Sequence, residues 1–410
     1  MKQEPDDPSA PLAATEVSPA LPKRVLLVAN YLPDHQYSMQ RYCTLLQQGL
    51  GSQGLEISIA RPQGYAGRLK HALPRLKKYL SYFDKFVCFP VTLRRTVRQL
   101  ANERDVLIHL LDQGNGVYLN QLGATPFLVT CHDLIAIKEA SGSTRRASEC
   151  TARRSRLFSY QRKNLRALKK APWFACVSDA TRQDCMRFLD ARPERCEVIY
   201  NPLDPFFLQR VTGRPDVLPP RFLLHIGNSA WYKNRTGLLQ IYQRLRILGC
   251  DVPLVLMGEP LSSDEKGKIA ELALGTYVIL VEAPEDETIR AAYAHAEALI
   301  FPSLEEGFGW PILEALAQGC PVFTTGVQPM TEAGGTVATY FDPHDPELAA
   351  SEIFRALNPV LRDDRLVAAR RKHAESFSME RFVEGYLGLY ERVMRDAASA
   401  SSSVPGLPVA

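Results

Sequence analysis

The sequence predicts an α/β protein built from two successive doubly wound parallel sheets. Three observations carry that expectation. Short apolar runs alternate with stretches of helical periodicity, as strands buried on both faces do. The alternation restarts after a proline-rich stretch at residues 203–220. The chain's 410 residues exceed one ordinary core, and a hydrophobic content of 46% is enough to fill two.

In chain order, Lys23-Arg24 leads into a first strand, Val25 to Ala29, followed by a helix through Gln40 to Leu50 and a second strand, Glu56 to Ala60. Val106 to Leu110, Pro126 to Thr130, Trp173 to Val177 and Glu197 to Tyr200 continue the series. After the prolines, Phe222 to Ile226 opens a second set, with Leu254 to Met257, Val278 to Leu280 and Ala298 to Phe301 behind it. Met379 to Met394 is amphipathic at helical spacing through Phe382, Tyr386, Leu389 and Val393. The resulting organisation is a disordered acidic leader (1–22), a Rossmann-like domain (23–202), a linker (203–220), a second Rossmann-like domain (221–378), a helix (379–395) and a low-complexity tail (396–410).

No run approaches 18 apolar residues, so no membrane-spanning helix is expected. The nine cysteines are scattered, with no C-x-x-C pair, which points to reduced thiols in a cytosolic setting. The net charge of +4 is unevenly spread. Residues 60–98 hold ten Lys/Arg against one acid, Asp84, and residues 145–170 hold ten against Glu149. An acidic partner for the N-terminal half follows. No nucleic-acid recognition motif accompanies the charge, so nucleic acid is not that partner. Leu73, Leu76, Leu80 and Phe83 form one helical stripe amid Arg75, Lys77 and Lys78, with Tyr79 and Tyr82 suited to headgroup depth. That pattern suits an anionic membrane surface, or else a helix packed on the sheet with its charges solvated.

The most informative segment is Glu305 to Thr325. Glu306 and Glu314 flank a glycine-bracketed loop, Gly307-Phe308-Gly309, with Pro311 placed for the first helical position and Gly319 closing a short helix before a strand. Free backbone N–H groups at that helix start make a phosphate or oxyanion site. Glu306 on the loop and Glu314 on the first turn can then accept from the hydroxyls of the same ligand.

This segment resembles the glutamate-x7-glutamate motif of the retaining family-4 glycosyltransferases. The resemblance implies the GT-B architecture, two Rossmann-like domains facing each other across a cleft, with the N-terminal domain on the acceptor side and the last helix crossing back onto it. Gly227 and Asn228, followed by Lys233-Asn234, are similar to the family's glycine–arginine and lysine–asparagine phosphate grip, although Asn228 stands where the family has arginine. Arg235 is the nearest substitute, unless neutral donors hold the phosphate. The H-D-L of His132-Asp133-Leu134 resembles a family segment whose histidine lies by the donor sugar; Asp133 reads as a cap for the next turn. Cys176 to Thr181 resembles the family's V-S-x-A-T and reads as architecture. The family's double glycine after the first strand is replaced by a loop whose Gln36, Tyr37, Ser38 and Met39 are the expected acceptor contacts.

The resemblance implies catalytic roles for Glu306, His132 and Lys233, and donor contacts from Gly227, Asn228, Lys233, Asn234, Gly307, Phe308, Gly309 and Glu314. It implies a nucleotide-diphosphate sugar as co-substrate, no separate cofactor, no metal, and front-face transfer to a glycan or lipid-linked acceptor. Relatives with this H-D-L and W-Y-K-N pattern often use GDP-mannose. The expected location is cytoplasmic, peripheral on the inner face of the membrane. Two other readings stand beside this one, a nucleotide-sugar epimerase of the same fold and a catalytically silent scaffold. The absence of a G-x-G-x-x-G after the first strand counts against a dehydrogenase.

Overall fold

The computed structural model describes residues 21–64, 77–103, 105–141, 154–357 and 363–402. The leader (through residue 20), Leu73, Arg75, Leu76 and the last eight residues lie outside that range.

From the N-terminus the elements are β1 (Arg24–Val28), α1 (Tyr37–Gly51), β2 (Glu56–Ala60), α2 (Lys77–Phe83), α3 (Phe89–Leu100), β3 (Val106–Leu110), β4 (Phe127–Cys131), α4 (Ile135–Ser141), α5 (Arg154–Leu168), β5 (Phe174–Cys176), α6 (Asp179–Leu189) and β6 (Cys196–Val198). A π-helical turn, Asp84–Cys88, joins α2 to α3. The second series is β7 (Leu223–Gly227), α7 (Arg235–Ile247), β8 (Leu254–Gly258), α8 (Ser263–Glu271), β9 (Val278–Glu282), α9 (Asp286–His295), β10 (Ala298–Phe301), α10 (Trp310–Ala317), β11 (Val322–Thr325), α11 (Met330–Gly334), β12 (Thr339–Phe341), α12 (Pro346–Ala356), α13 (Asp364–Glu375) and α14 (Met379–Ser402).

Two six-stranded sheets result, ordered β2-β1-β3-β4-β5-β6 and β12-β11-β10-β7-β8-β9. In the first sheet β1 runs parallel to β2 and β3, with Leu26 opposite Ser58 and Ile108, and in the second β7 runs parallel to β8, with Ile226 opposite Met257. In both sheets the strand order turns back beside the first strand of the set, the doubly wound arrangement the alternation predicts. Val25, Leu27, Ile108, Leu223, Leu256 and Ile300 are fully buried. Each such side chain stabilises the fold by about 2 kcal/mol relative to exposure.

The chain divides into two compact units. Residues 1–111, 120–128 and 383–410 form the first, and residues 112–119 and 129–382 the second. In the first unit, α14 buries Tyr386 and Tyr390. The Tyr386 hydroxyl hydrogen-bonds Tyr42 of α1, and His109 Nδ1 of β3 lies 2.8 Å from the Tyr390 hydroxyl. The helix continues to Ser402, beyond the Asp396 where composition suggested it would end. Alanine and serine after Asp396 carry no helix-breaking residue before Pro405, so an established helix propagates into them. Leu80, expected on the apolar stripe of the basic segment, is half-buried, whereas Tyr79, Tyr82 and Phe83 point outward.

Candidate active site

The second unit gathers the ends of β4, β7 and β10 with the loops that follow them. The Glu306–Gly309 loop leads to α10, whose N-cap is Gly309 in the left-handed region at φ 113°; no side chain among the described residues caps this start. Trp310, not Pro311, is the first helical residue, so the proline sits one place further in and Glu314 falls past the first turn. Gly319, at φ 76°, follows the helix end as expected.

Gly307 is held from two sides. A Cβ there would stand 2.0 Å from the carbonyl oxygen of His132, so no side chain fits. The Gly307 carbonyl accepts from Ser178 Oγ at 2.8 Å, and Thr181 Oγ1 donates to the His132 carbonyl at 3.2 Å. Ser178 is also the N-cap of α6, accepting from the Thr181 N–H. The V-S-x-A-T segment is therefore architecture for the loop that carries Glu306.

Lys233 closes a short turn, Trp231–Lys233, after β7. Its ammonium lies 2.7 Å from Glu306 Oε1, with the two side chains 15% and 10% exposed. It also stands 5.3 Å from the centre of the Phe301 ring. Asn234 adopts the left-handed conformation and caps α7, its Oδ1 accepting from Gly237 N at 3.2 Å while its amide donates to the Pro302 carbonyl at 3.3 Å. Asn228 turns its own loop, Oδ1 accepting from Ala230 N at 3.1 Å.

Arg235 does not replace the missing family arginine. It is 2% exposed, and its guanidinium donates to the Gly227 and Glu259 carbonyls and to Ser229 Oγ, with Glu265 at 3.8 Å. Directed into the β7 and β8 strand ends, it shapes the loop around Gly227 instead of presenting charge to a ligand. These strand ends are tight: Gly227 pairs with Gly258, at φ 128°, where a Cβ would meet the Gly227 carbonyl at 2.3 Å.

His132 is buried, and its backbone N–H donates to Gln113 Oε1 at 2.8 Å. Asp133 accepts from Ile135 N at 3.0 Å and so caps α4. Burial pushes its carboxyl up to about 6; the Ile135 N–H opposes that rise, and the charges of Asp112 and Glu306 add to it. Glu314 is 5% exposed and accepts from the Tyr293 hydroxyl at 2.9 Å. His225, beneath Gly227, donates from Nδ1 to the Ile300 carbonyl at 3.1 Å and stays neutral, since burial and then the Arg235 charge lower it to about 3. Phe308 is buried, its ring 6.0 Å from that of Tyr200.

Several participants have no sequence signal of their own. On α4, Lys138 bridges Asp184 and Glu305 at 3.0 and 2.9 Å, and Glu139 accepts from the Trp231 indole N–H. These pairs tie α4 to both loops that carry Lys233 and Glu306. Tyr293 is likewise an ordinary helical residue until α9 packs beside α10. The four expected acceptor contacts belong to the first unit. Gln36, Tyr37 and Ser38 are exposed and Met39 is half-buried at the start of α1, with Gln36 accepting from Asn30.

Residues 39–206 match the family described as Glycosyltransferase Family 4, and residues 215–373 match Glycosyl transferases group 1. This chain belongs to the family-4 glycosyltransferases. Within 57% of its length it is 29% identical to the O-antigen chain mannosyltransferase B of Escherichia coli, covering 64% of that protein. Within 48% it is 28% identical to an N-acetylgalactosaminyltransferase of Campylobacter jejuni named for a diphospho-undecaprenol substrate, covering 53% of it. The match thus spans less than two thirds of either relative. Among solved structures, a glycosyltransferase of Rickettsia africae superposes with a TM-score of 0.64 at 15% identity, over 92% of this chain and 99% of that one. The GT-B glycosyltransferase fold is shared by this family-4 chain at that distance. Lys233, Glu306, His132 and Glu314 all lie in its second unit.

Proposed function

We propose that this family-4 protein is a retaining, metal-independent hexosyltransferase. It transfers a hexose, with mannose the leading candidate, from a nucleotide-diphosphate sugar to a glycan or lipid-linked acceptor. The observation that carries the proposal is the 2.7 Å pair between Lys233 and Glu306, residues 73 positions apart that meet at the end of the sheet. The cation and the uncapped start of α10 supply positive potential where a diphosphate leaving group gathers charge. A donor diphosphate competes with Glu306 for Lys233 and frees that carboxylate to accept from sugar hydroxyls at the reacting centre. Glu314, positioned by Tyr293, accepts from the ribose. His132 provides a hydrogen-bonding group beside the sugar, and front-face attack by the acceptor hydroxyl preserves the anomeric configuration.

Mannose is favoured by the activity for which the Escherichia coli relative is named, and a lipid-linked acceptor by the substrate for which the Campylobacter jejuni relative is named. No described helix is long and apolar enough to cross a membrane. Access to a lipid-linked acceptor is therefore proposed to come from peripheral contact with the anionic cytoplasmic face.

The test is a thermal-shift screen without metal against UDP, GDP, ADP and their sugar conjugates, followed by transfer assays with the stabilising donor. Selective stabilisation by GDP-mannose, lost in Lys233→Ala, is expected. Absence of a shift with every nucleotide would overturn the reading.

A further inference from the structure

The first unit holds a cavity of about 330 Å³, a volume within the range of small-ligand sites. Its lining comes from the second half of α3, the turn before β3 and the segment 120–126 that precedes β4. An open α/β sheet binds its main ligand at the carboxyl ends of its strands. This cavity stands instead where β3 and β4 begin, and Lys233, Glu306, His132 and Glu314 take no part in its lining.

The lining combines unopposed positive charge with neutral and apolar groups. Arg94 and Arg98 are exposed and four positions apart on α3, so their guanidinium groups share one helix face. Like charges at that spacing cost a helix about 0.3 kcal/mol. Arg98, in the last turn, complements the helix dipole, whereas Arg94, a full turn earlier, gains little from it. Glu103, the acid in the lining, is already engaged by Arg24 at 2.7 Å. Among the described residues, neither Arg94 nor Arg98 has an ion pair or a side-chain hydrogen bond. The same holds for the side chains of Gln121 and Thr125 across the cavity. Buried Val97 and Leu122 supply an apolar patch beside them.

These groups select an occupant. Two planar guanidinium forks suit the oxygens of one phosphate. A free amide and a free hydroxyl next to an apolar patch suit a body with hydroxyls at its edge and C–H groups on its face, as a hexose ring has. A bare anion would leave Gln121, Thr125 and the apolar patch unused.

We infer that this cavity is a binding site for a hexose phosphate, with Arg94 and Arg98 on the phosphate and Gln121 and Thr125 on ring hydroxyls. It is separate from the candidate active site, and the inference stands on the cavity's own residues without the function proposed above.

The experiment is isothermal titration of the full chain with mannose 6-phosphate, with mannose and inorganic phosphate as comparison probes. Wild type binds mannose 6-phosphate about tenfold more tightly than either comparison probe, and Arg94→Ala/Arg98→Ala weakens that binding by about tenfold or more. Both side chains are exposed, so this variant keeps its circular dichroism and melting temperature. Thr125→Val weakens binding of mannose 6-phosphate and leaves that of inorganic phosphate unchanged. Lys233→Ala leaves the titration as in wild type, since Lys233 lies in the other unit. No binding of mannose 6-phosphate, equal binding by the arginine variant, or loss of binding in Lys233→Ala overturns the inference. Equal affinity for inorganic phosphate also overturns it, leaving an anion site only. Nucleotide thermal shifts on the same samples test the transferase reading separately.

Discussion

Lys233 and Glu306 form a largely buried ion pair at 2.7 Å, joining the turn after β7 to the loop before α10. A buried pair is a weak source of net stability, but removing one partner strands the other charge. On the proposed function, its value lies in availability: either member can exchange its partner for a ligand group.

On the proposed function, Lys233→Ala should lower turnover by about 10²-fold or more, with weaker donor binding, because a leaving diphosphate would lose its cation. The same change should destabilise the fold by about 3 kcal/mol, and Lys233→Met/Glu306→Gln should recover part of that. Urea unfolding of wild type, Lys233→Met, Glu306→Gln and the double variant checks the coupling. Additive effects would mean that the pair does not form in solution.

Gly307→Ala tests the close approach to His132. With only 2.0 Å available for the new methyl, the loop must move, and a cost of about 2 kcal/mol is expected along with loss of transfer. Thermal unfolding and a transfer assay measure both; a variant with wild-type activity would refute the close approach.

Arg235→Lys should raise the donor KM about tenfold with a smaller change in kcat, since one ammonium cannot replace a planar fork that reaches two strand-end carbonyls and Ser229. Steady-state kinetics separate this from a direct phosphate role, which the side chain's direction into the protein rules out as the expectation.

Asp133 sets a pH dependence. Its carboxyl rises from an ordinary 3.8 to about 6 in the fold. Between those values the folded chain holds a proton that the unfolded chain has released, so this group's contribution to stability falls as pH rises across that window. Asp133→Asn keeps an acceptor for Ile135 and cannot ionise. The melting temperature of Asp133→Asn relative to wild type should therefore climb from pH 4 to pH 7. Parallel curves would show that Asp133 titrates normally.

The strands were legible because burial on both faces leaves continuous apolar runs such as Val25 to Val28 and Leu254 to Met257, and helical periodicity marked α14. Glu306, Lys233 and His132 were legible because each follows a strand end, where a parallel sheet presents its ligand-binding residues. The role of Arg235 was not: a guanidinium beside a phosphate motif looks the same in sequence whether it faces ligand or strand ends, and burial alone decides between them. Lys138, Glu139 and Tyr293 had no signal, since their partners lie 21 to 167 positions away.

By itself, the sequence determined what local physics controls: the order of strands and helices, the glycines at Gly307 and Gly309, and the loops that bear the chemistry. Only the tertiary structure decided which charges meet, that Arg235 faces inward, and that Tyr79, Tyr82 and Phe83 on the basic helix face out. Periodicity reports which residues share a face, but pairing and exposure depend on what packs against that face, and those neighbours come from distant segments of the chain.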